Sequence, residues 1–185
     1  MKVIGISAYY HDSAASLIID GDIVSAVQEE RFTRIKHDSN FPKNAIKYCL
    51  INNNLTLDNI DFVIYYEKPF LKFERLLETC LAASPRGIRY FISAMQVWIK
   101  EKLFLKTVIK NNLKSLQEDI NGIDQKKIKI PKLLFSEHHL SHAASAFYPS
   151  PFEDAAILCL DGVGEWVTTS ACNGKGKIIK PIWEI

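Results

Sequence analysis

The sequence predicts an α/β fold made of two related halves, the second of which has only begun where the chain stops. Three observations predict it. Short apolar runs bounded by turn residues come in threes at both ends of the chain. The two sets correspond element for element at one constant offset, the mark of an internal repeat. Between them lie stretches of helical period, so strands and helices alternate along the chain.

The elements follow in order. Val3–Ser7 is a short apolar strand. Tyr9, Tyr10, His11, Asp12 and Ser13 interrupt it as a polar loop, and Ala14–Ile19 resumes as a second strand. Asp20-Gly21-Asp22 signals a tight hairpin into a third strand, Ile23–Val27. A densely charged segment, Gln28–Asp38, leads to Phe41-Pro42. Pro42 suits a first helical turn with Asn40 as a cap, and Pro42–Ile51 predicts a helix with Ala45, Ile46, Cys49 and Leu50 on one face. Phe62–Tyr66 reads as a buried strand. Phe70, Phe73, Leu76, Leu77, Cys80 and Leu81 recur at helical spacing until Ser84-Pro85, and Ile88–Gln117 reads as a second helical stretch. Lys126, Lys127 and Lys129 mark a solvated link. Leu133–Phe135 is a strand, Glu137–Phe147 a helix ended by Pro149 and Pro151, and Ala155–Leu160 a strongly apolar strand. Strands over Trp166–Cys172 and Lys177–Trp183 follow, with Asn173-Gly174 as the turn between them.

That last stretch repeats the first. Ile4–Ser7 corresponds to Ile157–Leu160, the loop Ala8–Asp12 to Asp161–Glu165, Ser13–Ile19 to Trp166–Cys172, and Asp20-Gly21 to Asn173-Gly174. Two halves that each open on a meander with a polar first loop follow the plan of the actin, hexokinase and Hsp70 superfamily, which is ribonuclease H-like. In that plan the two loops face each other across a cleft that holds nucleotide phosphate.

Composition excludes several classes. Of 185 residues, 48% are hydrophobic and 24% charged, as in an ordinary globular protein. A net charge of +2 argues against nucleic-acid binding. Cys49, Cys80, Cys159 and Cys172 form no CxxC pair, so free thiols in a reducing cytoplasm are expected. The start resembles no signal peptide. The most apolar long stretch, Tyr90–Ile109, carries Lys100, Lys102 and Lys106 and does not suit a membrane span.

The chemistry concentrates in three places. His138 and His142 are four apart, so a helix stacks them on one face, close enough to share a metal ion. Such a pair also occurs on purely structural helices. Here three of the five histidines fall within five residues, which favours a ligand site. Asp161, at the end of an apolar strand, is the third candidate ligand. Gly162 and Gly164 beside it allow close approach of backbone to a phosphate or metal, although an Asp-Gly turn alone is usually only a turn. In the first loop His11, Asp12 and Ser13 offer acid–base chemistry or a simple turn. Glu29, Glu30, Arg31, Arg34 and Lys36 either hold an anion or line a solvated loop. No P-loop, GxSxG, HExxH or dinucleotide fingerprint is present.

Taken together, GISAYYHDSAASLIIDGDIVSAVQEERFTRIKHDSNFP and SEHHLSHAASAFYPSPFEDAAILCLDGVGEWVTTS resemble the NodU/CmcH family of O-carbamoyltransferases. The resemblance covers both ends and is loose over about residues 68–130. It implies that residues 1–154 form the first half of a carbamoyl-transfer domain with a helical insertion at about 68–120. Residues 155–185 would begin a second half. The domain would resemble the tRNA threonylcarbamoyl-transfer enzyme. It would move a carbamoyl group from carbamoyl-adenylate, made from carbamoyl phosphate and ATP by a C-terminal YrdC-like domain, to a hydroxyl of a small molecule such as a sugar or antibiotic. The resemblance implies Fe(II) or another divalent metal on His138, His142 and Asp161. It places Asp161, Gly162, Val163, Gly164 and Glu165 at the nucleotide, and His11, Asp12 and Lys36 near the transferred group. This chain alone is expected to be inactive, and the uncovered edges of its fold to invite self-association. A tRNA-acting relative, a nucleotide-binding module without catalysis and a sugar or acetate kinase remain as alternatives.

Overall fold

The computed structural model describes residues 1–85, 87–88, 91–93, 95, 103–121, 129–162 and 164–185. Val163, much of the helical stretch read over Ile88–Gln117 and Lys126, Lys127 and Ile128 of the basic link lie outside the described residues. The chain forms a mixed α/β structure in two compact units, interleaved in sequence. One comprises Met1–Tyr66 with Phe104–Phe135, the other Glu67–Leu103 with Ser136–Ile185. No helix among the described residues is long and apolar enough to cross a membrane.

The first unit is built on a five-stranded sheet of order β3-β2-β1-β4-β5. Its strands are β1 (Lys2–Ser7), β2 (Ala14–Ile19), β3 (Asp22–Gln28), β4 (Phe62–Tyr65) and β5 (Lys132–Phe135). The meander β1-β2-β3 is antiparallel, turning at Asp20 and Gly21, both left-handed with φ of 53° and 104°. Glycine and aspartate tolerate that posture, so the hairpin forms where the sequence predicts it. β4 and β5 then add parallel to β1, which makes the sheet mixed. The charged segment after β3 winds into a short helix, α1 (Glu30–Thr33), and α2 (Lys43–Ile51) follows. α2 lies on β2 and β3 with Ala45, Ile46, Cys49 and Leu50 fully buried, the face that the periodicity predicts. α4 (Leu105–Asn121) contributes Leu105, Ile109, Leu113 and Leu116 to the same core.

The second unit contains α3 (Pro69–Ala82), α5 (His138–Phe147) and an antiparallel sheet of order β6-β7-β8. The strands are β6 (Asp154–Leu160), β7 (Thr169–Lys175) and β8 (Ile178–Glu184). Ala143 and Phe147 of α5 pack on Ile157, Cys159 and Cys172. Strand alternation sends Leu158 and Leu160 to the opposite, exposed face. α3 forms as its period predicts, but Phe70, Leu77 and Leu81 of its apolar set stay exposed.

The second meander departs from the predicted register. β7 begins at Thr169 rather than Trp166, because the loop after β6 is longer than the first loop. The hairpin turns at Gly176 (φ +57°), flanked by the pair Lys175 and Ile178, and not at Asn173-Gly174. Gly174 lies inside β7 for a packing reason: a Cβ there would stand 2.7 Å from Cδ2 and Cε2 of the buried Phe147 ring. Gly174→Ala is therefore expected to destabilise the protein by about 1–3 kcal/mol through overpacking. A thermal melt reads this as a midpoint lowered by several degrees, and an unchanged midpoint would refute the contact.

Candidate functional site

The helical spacing of His138 and His142 has the predicted consequence. One turn of α5 brings their Nε2 atoms to 3.1 Å from each other. β6 ends at Leu160, so Asp161 leaves the sheet at the first turn of that helix, and its Oδ2 stands 2.8 Å from His138 Nε2. One ligand atom from each of the three lies within 4.8 Å of the others, and they are the only such group among the described residues. The spacing suits a metal ion: with metal–ligand bonds of about 2.1 Å, two donors at a right angle lie about 3.0 Å apart. Two imidazoles and a carboxylate on one side of an ion are a donor set for zinc or non-haem Fe(II), with positions left open for a substrate.

The electrostatics prepare the donors. Burial and the neighbouring His142 imidazole push the His138 pKa down, against the opposing pull of Asp161. The neutral imidazole, the form that binds a metal ion, is favoured. Burial alone would raise the Asp161 carboxyl, but the Gly162 N–H, at 2.7 Å from Oδ1, and the two imidazoles outweigh it and hold the pKa below its ordinary value.

A buried carboxylate orders the surroundings. Glu165 accepts the backbone N–H of Lys68, at the N-cap of α3, and that of His138, the first residue of α5, at 3.3 Å. It thereby serves free donors at two helix starts. Burial raises its pKa, and these two N–H groups pull it back. Lys68 also pairs through Nζ with Glu137 at 2.7 Å, and Arg75 Nη1 donates to the Gly164 carbonyl at 2.9 Å. His139 points away from the pair, bonding the Ser170 hydroxyl through Nδ1 at 2.7 Å. Gly164 is constrained by that ring, since a Cβ there would come within 3.1 Å of it and 2.8 Å of the Val167 carbonyl. A cavity of about 230 Å³ lies alongside, lined by His138, His139, Glu165 and Trp166 among others.

The first loop forms a second cluster, in the other unit. Backbone bonds Tyr9 N–H to Ser39 O (2.7 Å) and Ser13 N–H to Asp38 O (2.8 Å) join the loop to the segment after α1. The buried Glu29 carboxylate accepts the N–H groups of Asn44 and Ala45 and so caps α2. The Tyr65 hydroxyl, from β4, holds the Ala8 carbonyl at 2.7 Å. Within this frame the Asp12 carboxylate meets two histidines: His11 Nδ1 at 2.9 Å from Oδ2 and His37 Nδ1 at 2.9 Å from Oδ1. The His37 hydrogen bond is the main cause that lowers the Asp12 pKa.

The structure thus joins His138, His142 and Asp161 and joins His11 to Asp12. Lys36 is exposed beside His37. Gly162 is open on its Cβ side, whereas Gly164 and Glu165 are occupied by protein contacts. Sequence reasoning did not single out His37, Lys68 or Arg75. His37 lies in the segment that carried the family resemblance, but its partnership with Asp12 spans residues that no local period connects, and nothing in the helical pattern of α3 marks Arg75.

A family model described as carbamoyltransferase N-terminus matches residues 2–185. An uncharacterised protein of Synechocystis sp. is 58% identical over 99% of this chain and 29% of its own length. Nodulation protein NolNO of Sinorhizobium fredii is 34% identical over 95% of this chain and 23% of its own length. An uncharacterised protein of Methanocaldococcus jannaschii is 28% identical over 90% of this chain and 32% of its own length. The chain spans about a quarter to a third of these curated relatives.

Two outcomes are expected of the site. Metal analysis of the chain equilibrated with Fe(II) or Zn(II) should find about one ion per chain, as a single three-residue site requires, and none retained in a His138→Ala/His142→Ala variant. Equal retention by both proteins would reject the site. In metal-free buffer, His138 binds its proton less tightly folded than unfolded. The unfolded chain then holds more protons below the ordinary imidazole value of 6.5, so this contribution is present above that pH and is lost as pH falls through the lowered folded value. Chemical denaturation at a series of pH values should show that loss, and a His138→Gln variant should flatten it.

Proposed function

We propose, from the premise that this chain belongs to the carbamoyltransferase family through that family's N-terminal region, that it serves the transfer of a carbamoyl group to an acceptor hydroxyl. The observation that carries this reading is the triad of His138, His142 and Asp161 in a chain that the family model matches over residues 2–185. The donor in this reading is carbamoyl-adenylate, made from carbamoyl phosphate and ATP, and the acceptor is an alcohol of a sugar, antibiotic or similar small molecule. The two antiparallel meanders, β1-β2-β3 and β6-β7-β8, support reading the fold as that of the actin and hexokinase superfamily.

His138, His142 and Asp161 would hold a divalent ion, Fe(II) first. When bound, that ion supplies Lewis acidity toward the adenylate phosphate. The chain's own groups do the rest. An alcohol is a weak nucleophile, so its proton must leave as the new bond forms. His11 accepts that proton on Nε2 while Asp12 retains the bond to Nδ1. The alcohol oxygen bonds to the carbamoyl carbon, the bond from that carbon to the phosphate oxygen breaks, and AMP leaves with the electron pair. Lys36 offsets the negative charge that develops on the carbamoyl oxygen.

The test joins this chain to the remainder of the Synechocystis relative and supplies carbamoyl phosphate labelled at carbon, ATP and a panel of alcohols. Label should appear in an alcohol as an O-carbamate, with AMP formed. His11→Ala should reduce the rate by about 10²–10⁴-fold, the span of one general base, and His138→Ala/His142→Ala should abolish it. Label transferred to tRNA, or turnover indifferent to the triad, would overturn the reading.

A further inference from the structure

We propose that His37 is a positioning residue that, through Asp12, fixes the tautomer and direction of His11. This inference rests on the proton-accepting role given to His11 above. An ionised carboxylate only accepts hydrogen bonds. Both imidazole contacts to Asp12 are made through Nδ1, each at 2.9 Å, so both rings must carry their proton on Nδ1. An unconstrained neutral imidazole in water prefers its proton on Nε2. The clasp therefore inverts the preference and leaves the Nε2 lone pair of His11 available to an incoming hydroxyl, as a triad carboxylate does for its histidine.

His37 holds Oδ1 of the carboxylate while His11 holds Oδ2. With each oxygen given to one ring, Asp12 cannot rotate away from His11 without losing a bond. His37 is itself anchored, since its N–H donates to Glu30 Oε2 at 3.2 Å. The flanking backbone bonds, Ser13 to Asp38 and Tyr9 to Ser39, set residues 12 and 37 opposite each other. His11 lies in the loop that leaves the C-terminal end of β1, where α/β sheets present reactive groups, and its ring lies against Tyr10 with centroids 4.5 Å apart.

Burial distinguishes this clasp from a structural one. The His11 and His37 side chains are 60% and 62% exposed. Exposed charge-assisted pairs add little stability. Yet Tyr9, Asp12, Arg34 and His37 all adopt left-handed backbone, with φ of 67°, 50°, 59° and 56°. Four non-glycine residues in that region within two short segments are a standing cost, and such clusters persist where geometry serves function.

The test is long-range proton–nitrogen correlation of the histidine rings in the 185-residue chain. In the unaltered chain near neutral pH, His11 and His37 should both show the Nδ1–H form. His37→Leu removes the donor, and the Nδ1–H form of His11 should fall to a minority. His37→Asn places an amide N–H where Nδ1 stood and should restore it. Amide spectra of both variants should match the parent, which excludes unfolding as the cause. An Nε2–H form of His11 in the parent would overturn the proposal, and so would His37→Leu leaving His11 unchanged. The clasp in this chain together with no carbamoyl transfer by the joined protein would sink the functional reading alone.

Discussion

A carboxylate withdrawn from water must be given hydrogen bonds or be neutralised, and much of the second unit is arranged around that requirement at Glu165. Its oxygens receive one N–H from the start of α3 and one from the start of α5. Helix starts are where unsatisfied donors and partial positive charge both reside. One side chain thus ties two helices to the loop that leaves β6. The loop carries Asp161 and α5 carries His138 and His142, so the same tie sets the spacing of the three candidate ligands. Arg75 adds a second hold on that loop at the Gly164 carbonyl.

The first unit solves a similar problem with the same residue type. Glu29, at the end of β3, is buried and caps α2 through Asn44 and Ala45. Asp38 is buried as well and accepts from Thr33 and from Asn40. These satisfied carboxylates form the base on which the exposed residues of the loop stand. Rigidity below and exposure above is what the base proposed here requires, because it must be held in direction yet reachable by a substrate.

Particular elements show what was legible. The i, i+4 pairing of His138 and His142 was readable because helical period is local and the chain obeys it. The buried face of α2 was readable for the same reason. Asp161 was found at the end of an apolar strand, and the correspondence between the two meanders held as far as Leu160. Beyond that it failed: β7 starts later, and Gly174 lies within a strand. An asparagine followed by a glycine reads as a turn in sequence, but the Phe147 ring needed the space. The apolar stripe on α3 was likewise visible, while the exposure of Phe70 and Leu81 was not, because period says that one face is apolar and not what will cover it.

The sequence by itself determined the strand meanders, the α2 core face, the paired histidines and the family to which the chain belongs. All of these rest on local period or on contiguous motifs. Only the tertiary structure decided that His37 shares Asp12 with His11, that Glu165 caps two helices, and that Arg75 holds the loop after β6. Each of those contacts joins residues far apart in the chain. Their partners are chosen by how the sheets bring loops together and by the need to satisfy buried charge, and neither is written in the spacing of residues along the sequence.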